Sequence, residues 1–387
     1  MNPAGAPEAT TATAFRNARI VLGDSVVEGD LAIADGVIAA GSVTGASVLD
    51  LGGDYLIPGL VDIHTDNIEQ HFQPRPGVRW PSALAAVLAY DGQMVGSGIT
   101  TVLDSLSLGD YDTGGARTAM LTAAIEGLGA ARAAGLLRAD HSFHFRCELS
   151  DPGLLPIIDA HIGNPHVRLL SMMDHTPGQR QWHDVQLYRA FRRKKNNHVW
   201  TDEEFEQYLA ERRAHQERLV PTARLRIVAA ARERGIRLAS HDDTTLADVE
   251  QSQADGISIS EFPTTLAAAR RARELGQQVV MGSPNVVLGG SHSGNVGALD
   301  LADAGLLDVL TSDYVPASLL HACFVLAERT GNLPAAVGTV TATPAAMAGF
   351  ADRGRIAPGL RADLLRVRVV EGVPVILGIW VAGRRYA

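Results

Sequence analysis

The chain has 387 residues, 46% of them apolar and 20% charged, and a formal charge of −9. This is a globular composition with room for one large domain and a smaller module, and the acidic balance argues against nucleic acid as a main partner. Two cysteines, Cys147 and Cys323, exclude a disulfide scaffold and fit a reduced, cytoplasmic setting. The first residues show no basic segment followed by an apolar core, and no apolar run is long enough to span a membrane.

Residues 1–13 are expected to be a disordered tail. Ala18–Leu22, Val26–Ile33 and Val37–Ala40 then read as short strands separated by Gly23-Asp24 and Asp35-Gly36, and Asp-Gly between apolar runs is a hairpin signal. Beyond Ile57 the pattern changes. Apolar runs at Ile99–Leu103, Ser142–Leu149, Val167–Met172, Ile236–Ser240, Gly256–Ser260, Gln278–Met281 and Leu307–Thr311 alternate with alanine-rich helical stretches. Several of these helical stretches stop at glycine, as at Gly135, Gly235 and Gly276. With Leu60–Ile63 the run count reaches eight, which favours a closed (β/α)8 TIM-like barrel over residues 58–350. Residues 351–387 return to strands, Leu364–Val370 and Val373–Val381. They are expected to join residues 14–57 in a small β-sandwich module built from both chain ends.

Chemistry concentrates where these runs end. His64 and Asp66 close Gly59-Leu60-Val61-Asp62-Ile63, and residues two apart on a strand face the same way, so both can grip one ion. The plain alternative for a lone His-x-Asp is a surface turn. Alternation in Ser142–Glu148 puts His144, Arg146 and Glu148 on one face, where polar groups inside a barrel need a partner; a buried Arg146–Glu148 ion pair is the alternative. His175 and His241 each close an apolar run, and imidazole suits zinc, although either alone also reads as a core histidine. Asp313 ends the last run. It is expected to touch the metal and to accept a proton from water, and it also fits as a cap for a helix over Pro316–Ala327. The expected ligand set is therefore His64, Asp66, Glu148, His175, His241 and Asp313, with Asp313 catalytic.

Basic residues surround this set. Arg75, Arg146, Arg180 and His183 are candidates for gripping a polyanion, because guanidinium matches phosphate oxygens by paired contacts. An insertion over about 178–220 carries Arg192-Arg193-Lys194-Lys195 and a Thr201-x-x-Glu204 capping box, and reads as a basic lid. Ser283 and His292 lie in two glycine- and serine-rich loops after the seventh run and are further candidates for substrate binding.

Ile57–His64 and Gly354–Leu364 resemble the amidohydrolase superfamily at the points where its chain enters and leaves the barrel. More narrowly, His64–His71, Pro74–Val78, Met173–Gln181, Ser240–Asp243 and Thr311–Tyr314 resemble the PhnM-type family of phosphonate-metabolism proteins, over nearly the whole chain after the tail. That resemblance implies metal-dependent hydrolysis of alpha-D-ribose 1-methylphosphonate 5-triphosphate to the 5-phosphate and pyrophosphate in the carbon–phosphorus lyase pathway. It also implies a divalent metal cofactor, expected as two ions, zinc first with manganese or iron as alternatives. The expected partner is that small-molecule substrate, without nucleic acid or membrane, and the chain is expected to form a homo-oligomer. Two departures from the superfamily pattern stand out. Asp66 replaces a second histidine, and Glu148 stands where a modified lysine would bridge two ions. The superfamily also draws ligands from strands four, five and six, whereas the run count puts Glu148, His175 and His241 on three, four and five. An amidohydrolase acting on a cyclic amide or base, and a noncatalytic scaffold, are the competing readings.

Overall fold

The computed structural model describes residues 12–109, 116–196, 199–291 and 294–387. Most of the expected tail, and His292, lie outside the described residues.

Five strands precede the barrel: β1 (Thr13–Val21), β2 (Val26–Ala34), β3 (Val37–Ile38), β4 (Ser47–Asp50) and β5 (Tyr55–Pro58). Eight form it: β6 (Leu60–Thr65), β7 (Ile99–Leu108), β8 (Asp140–Glu148), β9 (Val167–Met173), β10 (Arg237–His241), β11 (Ile259–Glu261), β12 (Gln278–Gly282) and β13 (Val309–Thr311). Three follow: β14 (Leu364–Val370), β15 (Val373–Val381) and β16 (Arg384–Arg385).

The end strands make one mixed sheet in the order β16-β15-β14-β5-β1-β2-β3, with β4 against β1. Its own core holds Phe15, Ile33, Leu56, Leu364 and Trp380, and the Trp380 ring meets Phe15 edge-on at 4.8 Å. Both chain ends therefore build the module, as their strand-like patterns require. At its junction with the barrel Gly59 donates to the Asp363 carbonyl (2.8 Å), and a Cβ on Gly59 would lie 2.3 Å from Thr100 Oγ1. Only glycine leaves room here for the Thr100 side chain.

β6 to β13 pair in sequence order as a parallel sheet. Asp313 donates to the His64 carbonyl and Asp66 to the Asp313 carbonyl, each at 3.0 Å, which brings β13 round to β6. The lower interior is apolar: Val61, Ile63, Leu103, Leu169, Ala239, Ile259, Val280 and Val309, closed from below by Ala345, Met347 and Ala348. A larger core lies between the barrel and its helices, and takes Phe143, Phe145 and Cys147 from the outward face of β8. The alternation read in Ser142–Glu148 is thus the real inside–outside pattern. Apolar residues fill the barrel's lower end, so the polar chemistry is confined to the carboxyl ends of the strands.

Several element bounds differ from the sequence reading, each for a local reason. β7 continues to Leu108 because Asp104 and Ser105 are hydrogen-bonded on its outer and inner faces rather than ending the strand. β11 runs to Glu261, one residue past the expected end. The Thr201/Glu204 capping box forms, and its helix runs past the expected end of the insertion, from Asp202 to Arg234 through Pro221. Ala223, Ile227 and Ala231 dock on the barrel side and carry the helix across the proline. The inserted segment has its own aromatic cluster, Tyr188, Phe205 and Leu209 packed with Trp182, Trp200 and Tyr208. Asp313 does not cap the next helix, which spans Ser318–Thr330 with Ala317 at its cap position.

Candidate metal centre and active site

The strand ends are built to aim side chains inward. Between Asp62 and Thr65, β6 carries one residue more than β7 opposite it, a bulge that re-aims His64. Asp242 and Phe262, each immediately after a barrel strand, and Asp313, two residues past the end of β13, hold φ of 59°, 52° and 56°. A left-handed Asp is tolerated, whereas a left-handed Phe is strained and needs surrounding structure to hold it. Here the Phe262 ring packs edge-on to His64 (4.9 Å) and against His241 (5.2 Å), fixing both imidazoles.

Two overlapping donor groups result. One is His64, His241 and Glu261, the other His175, His241 and Asp242, and within each the ligand atoms lie within 4.8 Å of one another. His64 Nδ1 lies 3.1 Å from Glu261 Oε1, and His241 Nδ1 lies 2.9 Å from Asp242 Oδ2. Burial, together with Arg146 and His241 nearby, holds the pKa of His64 well below the usual histidine value, so its imidazole is neutral and able to donate a lone pair. Burial raises the Glu261 carboxyl. It also raises Asp313, with help from the Asp66 charge, to about 7.

These groups fit a cation. His241 Nε2 and Glu261 Oε2 are buried without a hydrogen-bond partner among the described residues. A buried polar atom left so costs about 1–3 kcal/mol, and a divalent ion satisfies several at once. The donors are imidazole and carboxylate, the set that binds zinc and its first-row neighbours.

The sequence-derived residues fall into distinct places. His64, His175, His241, Asp313 and Arg146 line one cleft of about 210 Å³, with Asp242, Gln181, Asn285 and Tyr314. Asp66 is outside both donor groups; its carboxylate faces Arg146 at 3.3 Å. Glu148 Oε2 lies 2.6 Å from His175 Nδ1 and its Oε1 accepts from Ser150 (2.7 Å), so it grips His175 rather than joining the tightest clusters. Burial opposes both charges, yet each supports the other: Glu148 falls to about 2 and His175, also held by Asp242, rises to about 9. A metal ion taking His175 displaces that proton, so binding there competes with protons.

Arg180 is buried and spent on Asp243 and on the His241 carbonyl (2.8 Å), which steadies the strand end that carries His241. His183 is exposed, and Arg75 lies on an exposed turn. Ser283 is buried against Ser318 Oγ (2.6 Å). None of these four lines the cleft. His144 is the satisfied core histidine. Its Nδ1 lies 3.0 Å from the Ile63 carbonyl, which only accepts, and its Nε2 lies 3.0 Å from Ser171 Oγ. Burial drops it to about 3. The run count holds, and the strand-six residue in the donor groups is Glu261. The signal that found His241, a charged residue closing an apolar run, is present in Ile259-Ser260-Glu261 too.

Comparisons agree with this architecture. The chain is 43% identical over 377 residues to the Escherichia coli (strain K12) protein named "Alpha-D-ribose 1-methylphosphonate 5-triphosphate diphosphatase", covering 96% of this chain and 99% of that one. Among solved structures it resembles dihydropyrimidinase from Brevibacillus agri (14% identity, TM-score 0.62, 97% of this chain and 95% of that one). It likewise resembles an N-acetyl-D-glucosamine-6-phosphate deacetylase mutant from Mycobacterium smegmatis (15%, TM-score 0.61, 97% and 99%). At those identities the likeness shows the shared barrel-and-module fold alone. No family model matches the chain. Among the described residues no helix is long and apolar enough to cross a membrane.

Proposed function

We propose that this chain, which belongs to the family of alpha-D-ribose 1-methylphosphonate 5-triphosphate diphosphatases, hydrolyses that triphosphate to the 5-phosphate and pyrophosphate in the carbon–phosphorus lyase pathway of phosphonate catabolism. The observation that carries this reading is the 43% identity across nearly the whole of both chains. The donor groups at the strand ends supply chemistry that agrees with it.

His64, His241 and Glu261, with His175 and Asp242 beside them, are the residues that would hold the metal, and Asp313, together with Asp66 and Glu148, whose carboxylates face Arg146 and His175 here, would complete a site for two divalent ions. Zinc is the first choice for this donor set, and its carboxylates also suit manganese or iron. Such ions lower the pKa of water toward about 7 and neutralise charge on a transferring phosphoryl group. Asp313 sits on the cleft as the acceptor for the proton of the attacking water. The water oxygen bonds to the α-phosphorus, the bond from that phosphorus to the bridging oxygen breaks, and pyrophosphate leaves with the electron pair. Arg146, oriented by Asp66, faces the charge of the triphosphate. Glu148 and Arg180 hold His175 and His241 in place. Both cysteines are buried free thiols, which suits a cytoplasmic enzyme.

A cyclic-amide substrate is the competing reading, and the fold neighbours do not decide for it. The test is product analysis: metallated protein with the ribose phosphonate triphosphate yields pyrophosphate and the 5-phosphate in equal amounts. Turnover of a hydantoin or dihydropyrimidine, with no pyrophosphate from the triphosphate, overturns the proposal.

A further inference from the structure

Among the described residues, the cleft offers a highly charged substrate one arginine. Arg146 lines it, whereas Arg75 and Arg180 do not. The same lining holds three neutral amides, Gln181, Asn285 and Asn295. One of them is held in a defined way. Asn285 follows β12 on the short helix Ser283–Val287, and its Oδ1 accepts from the Ala298 backbone N–H at 2.8 Å. A backbone N–H can only donate, so the atom it meets must be the amide oxygen. The flip of this side chain is therefore fixed by the backbone, and its NH₂ group occupies the other branch. Among the described residues that NH₂ group has no protein hydrogen-bond partner. The site is close to the chemistry. Gly282, which ends β12 three residues earlier, lines the same cleft, and a Cβ built on it would lie 3.5 Å from Asp313 Oδ2.

We infer that Asn285 is a substrate-specificity residue: its amide NH₂, set by the Ala298 contact, donates to a phosphoryl oxygen of the bound triphosphate. A neutral donor suits this place. It meets an anionic oxygen with a charge-assisted hydrogen bond and adds no cation next to the metal donors. It also distinguishes phosphoryl oxygens from donor-bearing groups such as a ring N–H, which it cannot accept from. This inference rests on the diphosphatase reading for the identity of the substrate, but not for the presence of a polyphosphate subsite.

Asn285→Asp separates the contact from the fold. The carboxylate still accepts from Ala298 and has nearly the same volume, yet it turns an anion toward the phosphates. We expect KM for the triphosphate to rise at least tenfold with a smaller change in kcat. The affinity for inorganic tripolyphosphate, measured by calorimetry on metal-loaded protein, should weaken at least tenfold too. The melting temperature and bound metal should match wild type. KM and tripolyphosphate affinity both within twofold of wild type overturn the inference. So does an equal loss in a variant whose metal content has also fallen, because the effect then belongs to the metal. Asn285→Ser, which keeps a small hydrogen-bonding group without the charge, should fall between the two. If wild type binds tripolyphosphate and Asn285→Asp does not, while neither releases pyrophosphate from the ribose substrate, the subsite stands and the diphosphatase reading fails.

Discussion

Two buried polar networks lie on either side of the same strands, and they differ in one respect. Outside the barrel, between β7, β8 and the helix Ala83–Gly96, His141 sits between Asp104 (3.0 Å) and Asp91 (3.4 Å). Tyr90 donates to Asp104 (2.7 Å), and the Arg138 and Ala139 N–H groups donate to Asp91 (2.9 Å each). Inside, at the strand ends, His241 and Glu261 each keep a buried atom without a hydrogen-bond partner among the described residues. The first network is complete without a ligand and serves the fold; the second is complete only with one. Residue type does not separate them, since both are made of His, Asp and burial. Saturation does.

The largest effect expected on this contrast comes from Asp313→Asn. It should cut pyrophosphate release by about 10²–10⁴-fold, the usual worth of a positioned proton acceptor, and leave the urea midpoint nearly unchanged. A large loss of stability would instead make Asp313 a structural residue. Next, Glu261→Gln should weaken metal binding by roughly 10–100-fold, read by metal analysis after dialysis. Unchanged metal content would move Glu261 into the saturated class.

The outer network should answer in the opposite currency. His141→Asn leaves two buried carboxylates without their cation and should cost about 3–5 kcal/mol in denaturant unfolding, with kcat of the folded protein within twofold of wild type. Burial opposes the charge on His141, yet Asp104 and Asp91 hold its pKa at about 9. A raised histidine stabilises fully below its unfolded value near 6.5, and that contribution is lost as pH rises through about 9. Wild type should therefore lose stability relative to His141→Asn across that window, and parallel pH profiles would contradict a charged His141. The smallest effect belongs to Arg75→Ala, on an exposed turn away from the cleft, which should change KM by less than twofold.

Much of this was legible in the sequence because the barrel writes its period plainly. Apolar runs at the right spacing gave eight strands, and four of the metal candidates, His64, His175, His241 and Asp313, do converge on one cleft. What sequence could not supply was the fate of each polar atom. Arg180 reads as a phosphate grip until Asp243 is seen to occupy it, and the pairing depends on a loop returning from the next strand. Asp66 and His64 share a face on an ideal strand, but the bulge in β6 and the reach of Arg146 draw Asp66 aside. The outer trio Asp91, Asp104 and His141 joins a helix to two strands, so no short motif announces it. Glu261 is the exception: the rule that finds the other candidates applies to it, one residue past the expected end of its strand.

The most direct test of the unsaturated inner network is metal titration of chelator-stripped protein, with melting temperature and pyrophosphate release followed together. The account predicts that zinc or manganese raises the melting temperature by several degrees and restores release in wild type, and does neither in His241→Ala. A stripped protein that releases pyrophosphate at the wild-type rate, or a His241→Ala variant that binds metal as wild type does, would contradict it.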